Sequence, residues 1–331
     1  MHTVVLIPGD GIGPEVSEAT RRIVEATGVE IEWILAQAGA DILKKTGELV
    51  PSSVYDAIEK HRVVLKGPIT TPVGEGFRSV NVTLRQKYQL YANVRPVVSH
   101  PGLGRYENID LVIFRENTED LYAGREVRVS EDEVHGIKVI TRKACERIAR
   151  AAFEFARQQG RRQVSAVHKA NIMKMADGLF LESTRKLAED YPEIEYKEVI
   201  VDNMCMQLTM VPNQYDVIVT ENLYGDILSD LAAGLVGGLG LVPGANIGDR
   251  YAVFEAVHGS APDIAGKGVS NPIALTLSAS MMLDHLGERE AAQRIRKSVY
   301  QGIKQGESLT PDLGGSGNTE TITEVLINGL S

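Results

Sequence analysis

Cysteine is almost missing from this sequence. Cys145 and Cys205 are the only two in 331 residues. They lie far apart and lack metal-site spacing, which argues against a disulfide framework and fits a reducing compartment. A surplus of positive charge is missing as well. With 35 Lys and Arg against 44 Asp and Glu the net charge is −9, which argues against nucleic acid or an acidic membrane as partner. No run reaches the ~18 apolar residues of a membrane span, and Val4–Ile7 is too short for a secretory leader. A cytoplasmic protein is expected. A Walker motif is lacking too: its first glycine would fall on Ala261, and Gly268 follows Lys267.

What is present is ordinary globular composition, 43% apolar and 24% charged, at a length that suits two domains. Val4–Ile7 runs into Pro8-Gly9-Asp10-Gly11-Ile12-Gly13-Pro14 and then a helix from about Glu15 to Thr27, with Gly28 as its left-handed stop. The third glycine of a dinucleotide fingerprint would fall on Pro14, so a sharp strand-to-helix turn is a sufficient reading of these glycines. Strand-like runs recur at Ile31–Leu35, Arg62–Lys66, Leu111–Phe114, Val164–Val167, Tyr196–Val201 and Asp216–Thr220. Helical patterns lie between several of them, at Lys143–Gln159, Asp177–Asp190 and Glu221–Gly234. That alternation predicts an α/β architecture with a largely parallel sheet. Three further helices follow Asn271-Pro272, from there to about Leu286, from Glu288 to Gln305 and from about Thr319 to Asn328. Residues 124–139 alternate Val127, Val129, Val134, Ile137 and Val139 among acidic residues, which reads equally as a surface hairpin or an oligomer contact.

Candidate chemistry gathers at element ends. Asp226 and Asp230 stand four residues apart on one helical face, where the like charges cost a few tenths of a kcal/mol unless a cation sits between them. A hard divalent ion would serve, and so would simple solvation. Asp202 closes a strand and could add a third carboxylate. Ser79 and Asn81 precede a helix, Arg85 and Arg95 follow, and Arg115 ends an apolar strand. Arginine's fork pairs with carboxylates in two-point fashion, so three of them beside strand and helix ends suit a polycarboxylate. Tyr122 and Lys169 are candidate proton-transfer groups, or ordinary polar residues.

Five motifs resemble the β-decarboxylating dehydrogenase family of isocitrate, homoisocitrate and 3-isopropylmalate dehydrogenases. They are residues 8–15 (PGDGIGPE), 90–96 (LYANVRP), 115–124 (RENTEDLYAG), 222–230 (NLYGDILSD) and 258–266 (HGSAPDIAG). The match runs nearly end to end. It implies a non-Rossmann α/β fold of two domains with a small β dimerisation arm. Residues 1–94 and 240–331 would form a large cofactor-binding domain. Residues 95–239 would form a small one, with the arm at 124–139 and the metal-binding helix.

The same resemblance implies roles. Arg85, Arg95 and Arg115 would clamp substrate carboxylates, and Ser79 and Asn81 match the pattern that isocitrate dehydrogenases use at the γ-carboxylate. Isopropylmalate enzymes are apolar there, and homoisocitrate enzymes typically lack this pair. Asp202, Asp226 and Asp230 match the Mg²⁺ or Mn²⁺ carboxylates, and Tyr122 and Lys169 the acid–base pair. Lys169 and Asp202 would reach in from the partner of a homodimer. Thr70, Thr71, His258, Gly259, Ser260, Ala261, Asp263, Ile264 and Asn271 match cofactor-binding positions. Asp263-Ile264 stands where NADP-dependent relatives carry Lys-Tyr, and Val211 where they carry arginine. A carboxylate accepts ribose hydroxyls and repels a 2′-phosphate, so NAD is expected. The implied reaction is oxidation of isocitrate at C2, loss of CO₂ and protonation at C3 by Tyr122.

Overall fold

The computed structural model describes residues 1–70 and 79–330. β1 (His2–Ile7) turns into α1 (Gly13–Ala26), followed by β2 (Ile31–Leu35), α2 (Ala40–Thr46), α3 (Ser52–His61) and β3 (Val63–Lys66). α4 (Val80–Lys87), β4 (Ala92–Val98) and β5 (Asp110–Glu116) come next, then a hairpin of β6 (Asp120–Arg128) and β7 (Val134–Val139). α5 (Arg142–Gln158), β8 (Gln163–His168), α6 (Ala176–Ala188), β9 (Glu195–Ile200), α7 (Val201–Met210), β10 (Val217–Thr220) and α8 (Asn222–Val236) form the middle. β11 (Pro243–Ile247), β12 (Ala252–Ala256), α9 (Ile273–His285), α10 (Arg289–Gln305) and α11 (Thr319–Asn328) complete the described chain.

Ten strands make one sheet in the order β2-β1-β3-β12-β11-β4-β5-β10-β8-β9. β2, β1, β3 and β12 are mutually parallel, and so are β5, β10, β8 and β9. Between these wings β11 and β4 pair antiparallel with each other and with their outer neighbours. The wings therefore run in opposite directions. A wholly parallel centre was not what formed, because the chain passes between wings only through β4 and β11.

The two faces of the sheet are covered differently. On one, Val94, Phe114, Val219, Ala245 and Phe254 join α1, α5 and α9 in one continuous core spanning both wings. On the other, Val5, Val64 and Val253 pack with α3 and α4, while Ile113, Ile218 and Val167 pack separately with α7 and α8. Each fully buried aliphatic side chain contributes about 1.5–3 kcal/mol, so the continuous face fixes the wings together. The divided face leaves a seam. Side chains alternate along strands, and the registers Val64↔Val253, Asn246↔Asn93 and Asn93↔Arg115 carry one face across the centre. Lys66, Glu255, Asn246, Asn93, Arg95 and Arg115 fall on that face, in the gap between the two smaller cores.

Gly28, Gly160 and Gly287 stop α1, α5 and α9 in left-handed conformation, as the sequence indicates. β4 is a strand despite Pro96, whose pairing with β11 is recorded only from Ala92 to Val94. Asp202 does not close a strand: β9 ends at Ile200, and Asp202 lies in the first turn of α7. The hairpin is present and starts earlier than expected, at Asp120, as a separate two-stranded sheet. Val127, Val129, Val134 and Ile137 on it are exposed. Among the described residues no helix is long and apolar enough to cross a membrane.

Candidate active site

The seam opens into a cavity of about 320 Å³. It is lined by Lys66, Asn93, Arg95, Arg115 and Glu255 from the sheet, by Ser79, Asn81 and Arg85, by Tyr122 and Asp226, and by Ile69, His258 and Gly259. Lys66, Asn93 and Glu255 were not singled out in the sequence. Lys66 ended an apolar strand, as Arg115 did, which was the one available signal.

Three guanidiniums share this space. Burial and then the neighbouring Arg115 and Arg85 charges hold Arg95 down at about 10. Burial, and then Arg85, also hold Arg115 below the ordinary arginine range. Arg85 Nε, Arg95 Nε and Arg115 Nη2 are buried without a hydrogen-bond partner, and unpaired buried donors are costly. An anionic ligand would satisfy them. Beneath, Lys66 Nζ pairs with Glu255 Oε2 at 2.6 Å, and Arg85 Nη2 reaches Glu255 Oε1 at 3.4 Å. Glu255 is pulled down to about 2: burial opposes its charge, but Lys66 and Arg85 outweigh it. Asn246 donates to the same carboxylate at 2.8 Å and accepts from Asn93 and Asn117 at 2.9 Å each.

α8 delivers the acidic wall. Leu228, Ala232 and Leu235 pack it against the core of its wing, and Gly237 ends it in left-handed conformation. A side chain at Gly225 would meet Arg115 Cγ at 2.5 Å, so glycine there lets the helix lie on the arginine. Arg115 Nη1 donates to Asp226, and its Nε to Asn222 Oδ1 at 2.8 Å. Arg95 Nη1 stands 3.8 Å from Asp226 and 3.7 Å from Asp230. The cations that relieve the two like charges are thus arginines of the same chain. Burial opposes ionisation of Asp226, yet Arg115 and the Tyr122 hydroxyl bring it below the usual carboxylate range. Asp230 is raised by burial against the pull of Arg95. The Tyr122 hydroxyl donates to Asp226, and Arg115 lies 5.0 Å from the ring centre. Burial and that hydrogen bond push the phenol up.

Lys169 and Asp202 form an ion pair with each other and are not among the residues lining the cavity. Within one chain the lysine therefore does not lower the Tyr122 phenol. Among the described residues no group of three His, Cys, Asp or Glu could hold a metal. Asp226 and Asp230 offer two carboxylates on one face of α8, which fits a site holding Mg²⁺ or Mn²⁺ by one or two carboxylates plus further oxygen ligands.

The loop after β12 supplies the remaining candidates. Ser260 Oγ lies 2.6 Å from Thr70 Oγ1, and Ser260 O accepts from Ile12 N at 2.9 Å. Asp10 accepts from Thr70 N at 2.8 Å and Ala40 N at 3.0 Å. Gly11, at φ +59°, has no room for a side chain against Ser260 O. The N-terminal glycines therefore serve close packing of three segments. His258 Nε2 is buried and unpartnered, an open position for a cofactor group. Ala261 adopts φ +37°. Asp263 is exposed and Ile264 half-buried. Asn271 is committed inside the fold: it accepts from Ile273 N at 2.9 Å and donates to Asp312 at 3.0 Å. Thr71 lies outside the described residues.

A profile described as isocitrate/isopropylmalate dehydrogenase matches residues 3–326. The chain belongs to that family of decarboxylating dehydrogenases. An NAD isocitrate dehydrogenase catalytic subunit of Arabidopsis thaliana mitochondria is 50% identical, over 99% of this chain and 88% of its own. An isocitrate/homoisocitrate dehydrogenase of Thermus thermophilus is 49% identical, over 99% of this chain and 98% of its own. The crystal structure of isocitrate dehydrogenase from Methylococcus capsulatus superposes with a TM-score of 0.96 at 51% identity, covering 100% of this chain and 99% of that one. The fold is that of the family.

Proposed function

We propose that this protein oxidatively decarboxylates isocitrate to 2-oxoglutarate and CO₂ with NAD as oxidant. The observation that carries the reading is one cavity lined by three arginines that keep unsatisfied N–H donors, by an ionised aspartate and by His258-Gly259. A polyanionic substrate and a hydride acceptor would meet there. When bound, the divalent ion polarises substrate oxygens as a Lewis acid and NAD accepts the hydride.

The chain's own residues do the rest. Arg85, Arg95 and Arg115 orient the carboxylates in a buried site, where fixed charges act without reorganisation. Ser79 and Asn81 line the same cavity as Arg85 and would take the γ-carboxylate. The partner subunit's Lys169 takes the proton of the 2-hydroxyl, and Asp202 of the partner subunit joins Asp226 and Asp230 around the ion. Tyr122, whose phenol is held protonated, delivers the proton to C3 after CO₂ departs. Asp263 selects NAD through the ribose hydroxyls.

A homodimer with shared sites follows from this reading, docked through the exposed apolar hairpin. We also take residues 1–94 and 240–331 as one domain and 95–239 as the other, meeting at the seam. Cytoplasmic residence remains part of the proposal, although the Arabidopsis relative is named mitochondrial.

Homoisocitrate or 3-isopropylmalate is the second reading, the former favoured by the name of the Thermus relative. A non-catalytic regulatory paralogue is a third, and Tyr122, Lys169 and the three aspartates speak against it. The test is product analysis: equal amounts of NADH and 2-oxoglutarate from isocitrate, with none after chelation and recovery on adding Mn²⁺. Absence of turnover with intact ligand binding would favour the paralogue.

A further inference from the structure

Outside the cavity a second set of buried charges meets at Lys138, near the base of the hairpin. Its Nζ donates to Asp177 Oδ1 and to Glu221 Oε2, each at 2.5 Å, with the Tyr224 hydroxyl at 3.4 Å. Asp177 is wholly buried, and Lys138 and Glu221 nearly so. These residues come from three elements: Lys138 from β7, Asp177 from α6, and Tyr224 and Glu221 from the first turn and the N-cap position of α8. Asp177 uses its other oxygen, Oδ2, to accept the backbone N–H of Lys169 at 2.6 Å and the Tyr224 hydroxyl at 3.1 Å. The Lys169 carbonyl accepts from Ile172 N and Met173 N at 2.9 Å each.

We propose that Lys138 and Asp177 are positioning residues for Lys169, fixing the backbone from which its side-chain nitrogen reaches toward the partner's site. The proposal rests on the reading of Lys169 as the proton-accepting lysine. A flexible four-carbon side chain delivers its nitrogen accurately only if its Cα is held. Asp177 holds the amide on one side and the 172–173 turn holds the carbonyl on the other. Lys138 in turn pairs with the buried Asp177, and a buried carboxylate left without a cation is costly. Because Lys138 belongs to the hairpin, seating of the hairpin is transmitted to Lys169 through one hydrogen-bonded chain, Lys138–Asp177–Lys169 N. The same ammonium ties Glu221, and with it the start of α8, into that frame. An ion cluster that merely stabilised the fold would also be buried, so the test must separate the two roles.

The experiment measures kcat, KM for isocitrate and Tm of the full-length enzyme and of Lys138→Met, Lys138→Arg, Asp177→Asn, Lys169→Met and Asp177→Asn/Lys169→Met. Asp177→Asn is included because it leaves Lys138 paired with Glu221 while turning an amide donor toward the lysine and Lys169 N–H, whereas Lys138→Met leaves unpaired carboxylates that could unfold the chain. The expected result is a kcat lowered about tenfold to 10²-fold in Lys138→Met and Asp177→Asn, with KM little changed. Lys138→Arg should recover part of that loss. Asp177→Asn should cost nothing further in the Lys169→Met background, because it acts through that side chain. An equal loss in both backgrounds, or a normal kcat in Asp177→Asn, would overturn the proposal. A normal kcat in Lys169→Met would instead overturn the role of Lys169, and the proposal with it.

Discussion

Arg115 and Asp226 pair at the edge of the seam, and the arginine side chain that makes the contact is only 1% exposed. β5 supplies the cation and α8 the anion, so the pair fixes the acidic wall against the sheet. Lysine cannot reach Asp226 and Asn222 together. Arg115→Lys should therefore lower kcat/KM for isocitrate by about 10²-fold or more, while Arg115→Met should also lower Tm, because it strands a partly buried carboxylate. Initial rates and thermal melts of both variants check this. An unchanged kcat/KM in Arg115→Lys would remove the guanidinium from the site.

Glu221 gives a pH dependence with a definite sign. Burial pushes its carboxyl up to about 8 despite Lys138. A carboxyl raised in the folded state contributes stability that is complete below its unfolded value, near 4.5, and is lost as pH rises through about 8. Glu221→Gln cannot titrate. The Tm of the parent minus that of Glu221→Gln should therefore fall steadily between about pH 5 and about pH 9. A difference independent of pH would show that this carboxyl does not titrate there.

Shared sites predict complementation. Tyr122→Phe and Lys169→Met should each be nearly inactive. Mixed and allowed to exchange subunits, they should recover about a quarter of parental activity, since half the dimers are hybrid and each hybrid has one intact site. No recovery despite demonstrated exchange would place both residues in the same chain's site.

The adenosine-side loop predicts a specificity change. Asp263→Lys with Ile264→Tyr should weaken the preference for NAD over NADP, read as the ratio of kcat/KM values. A ratio equal to that of the parent would remove these two positions from cofactor selection.

Much of this was legible in sequence where a local signal existed. α5 follows from apolar periodicity and Gly160 after it, and α9 from Asn271-Pro272 before it and Gly287 after it. Arg95, Arg115 and Asp226 stood out as charges at element ends or at helical spacing, and the structure brings them together. β4 was not legible, because Pro96 argues against a central strand unless one knows how short β11 is. α7 was hidden by Val201, whose β-branched run extends β9 on paper. Lys66, Glu255 and Asn93 could not be placed in the site, since that depends on registers between segments far apart in the chain. No local pattern reports that β3, β12, β11 and β4 lie side by side.

The measurement that bears most directly on the proposed function compares kcat/KM for isocitrate, homoisocitrate and 3-isopropylmalate, each with NAD and with NADP, at saturating Mg²⁺ or Mn²⁺. The cavity chemistry predicts the highest value for isocitrate with NAD. A higher value for either other substrate, or a preference for NADP, would contradict it.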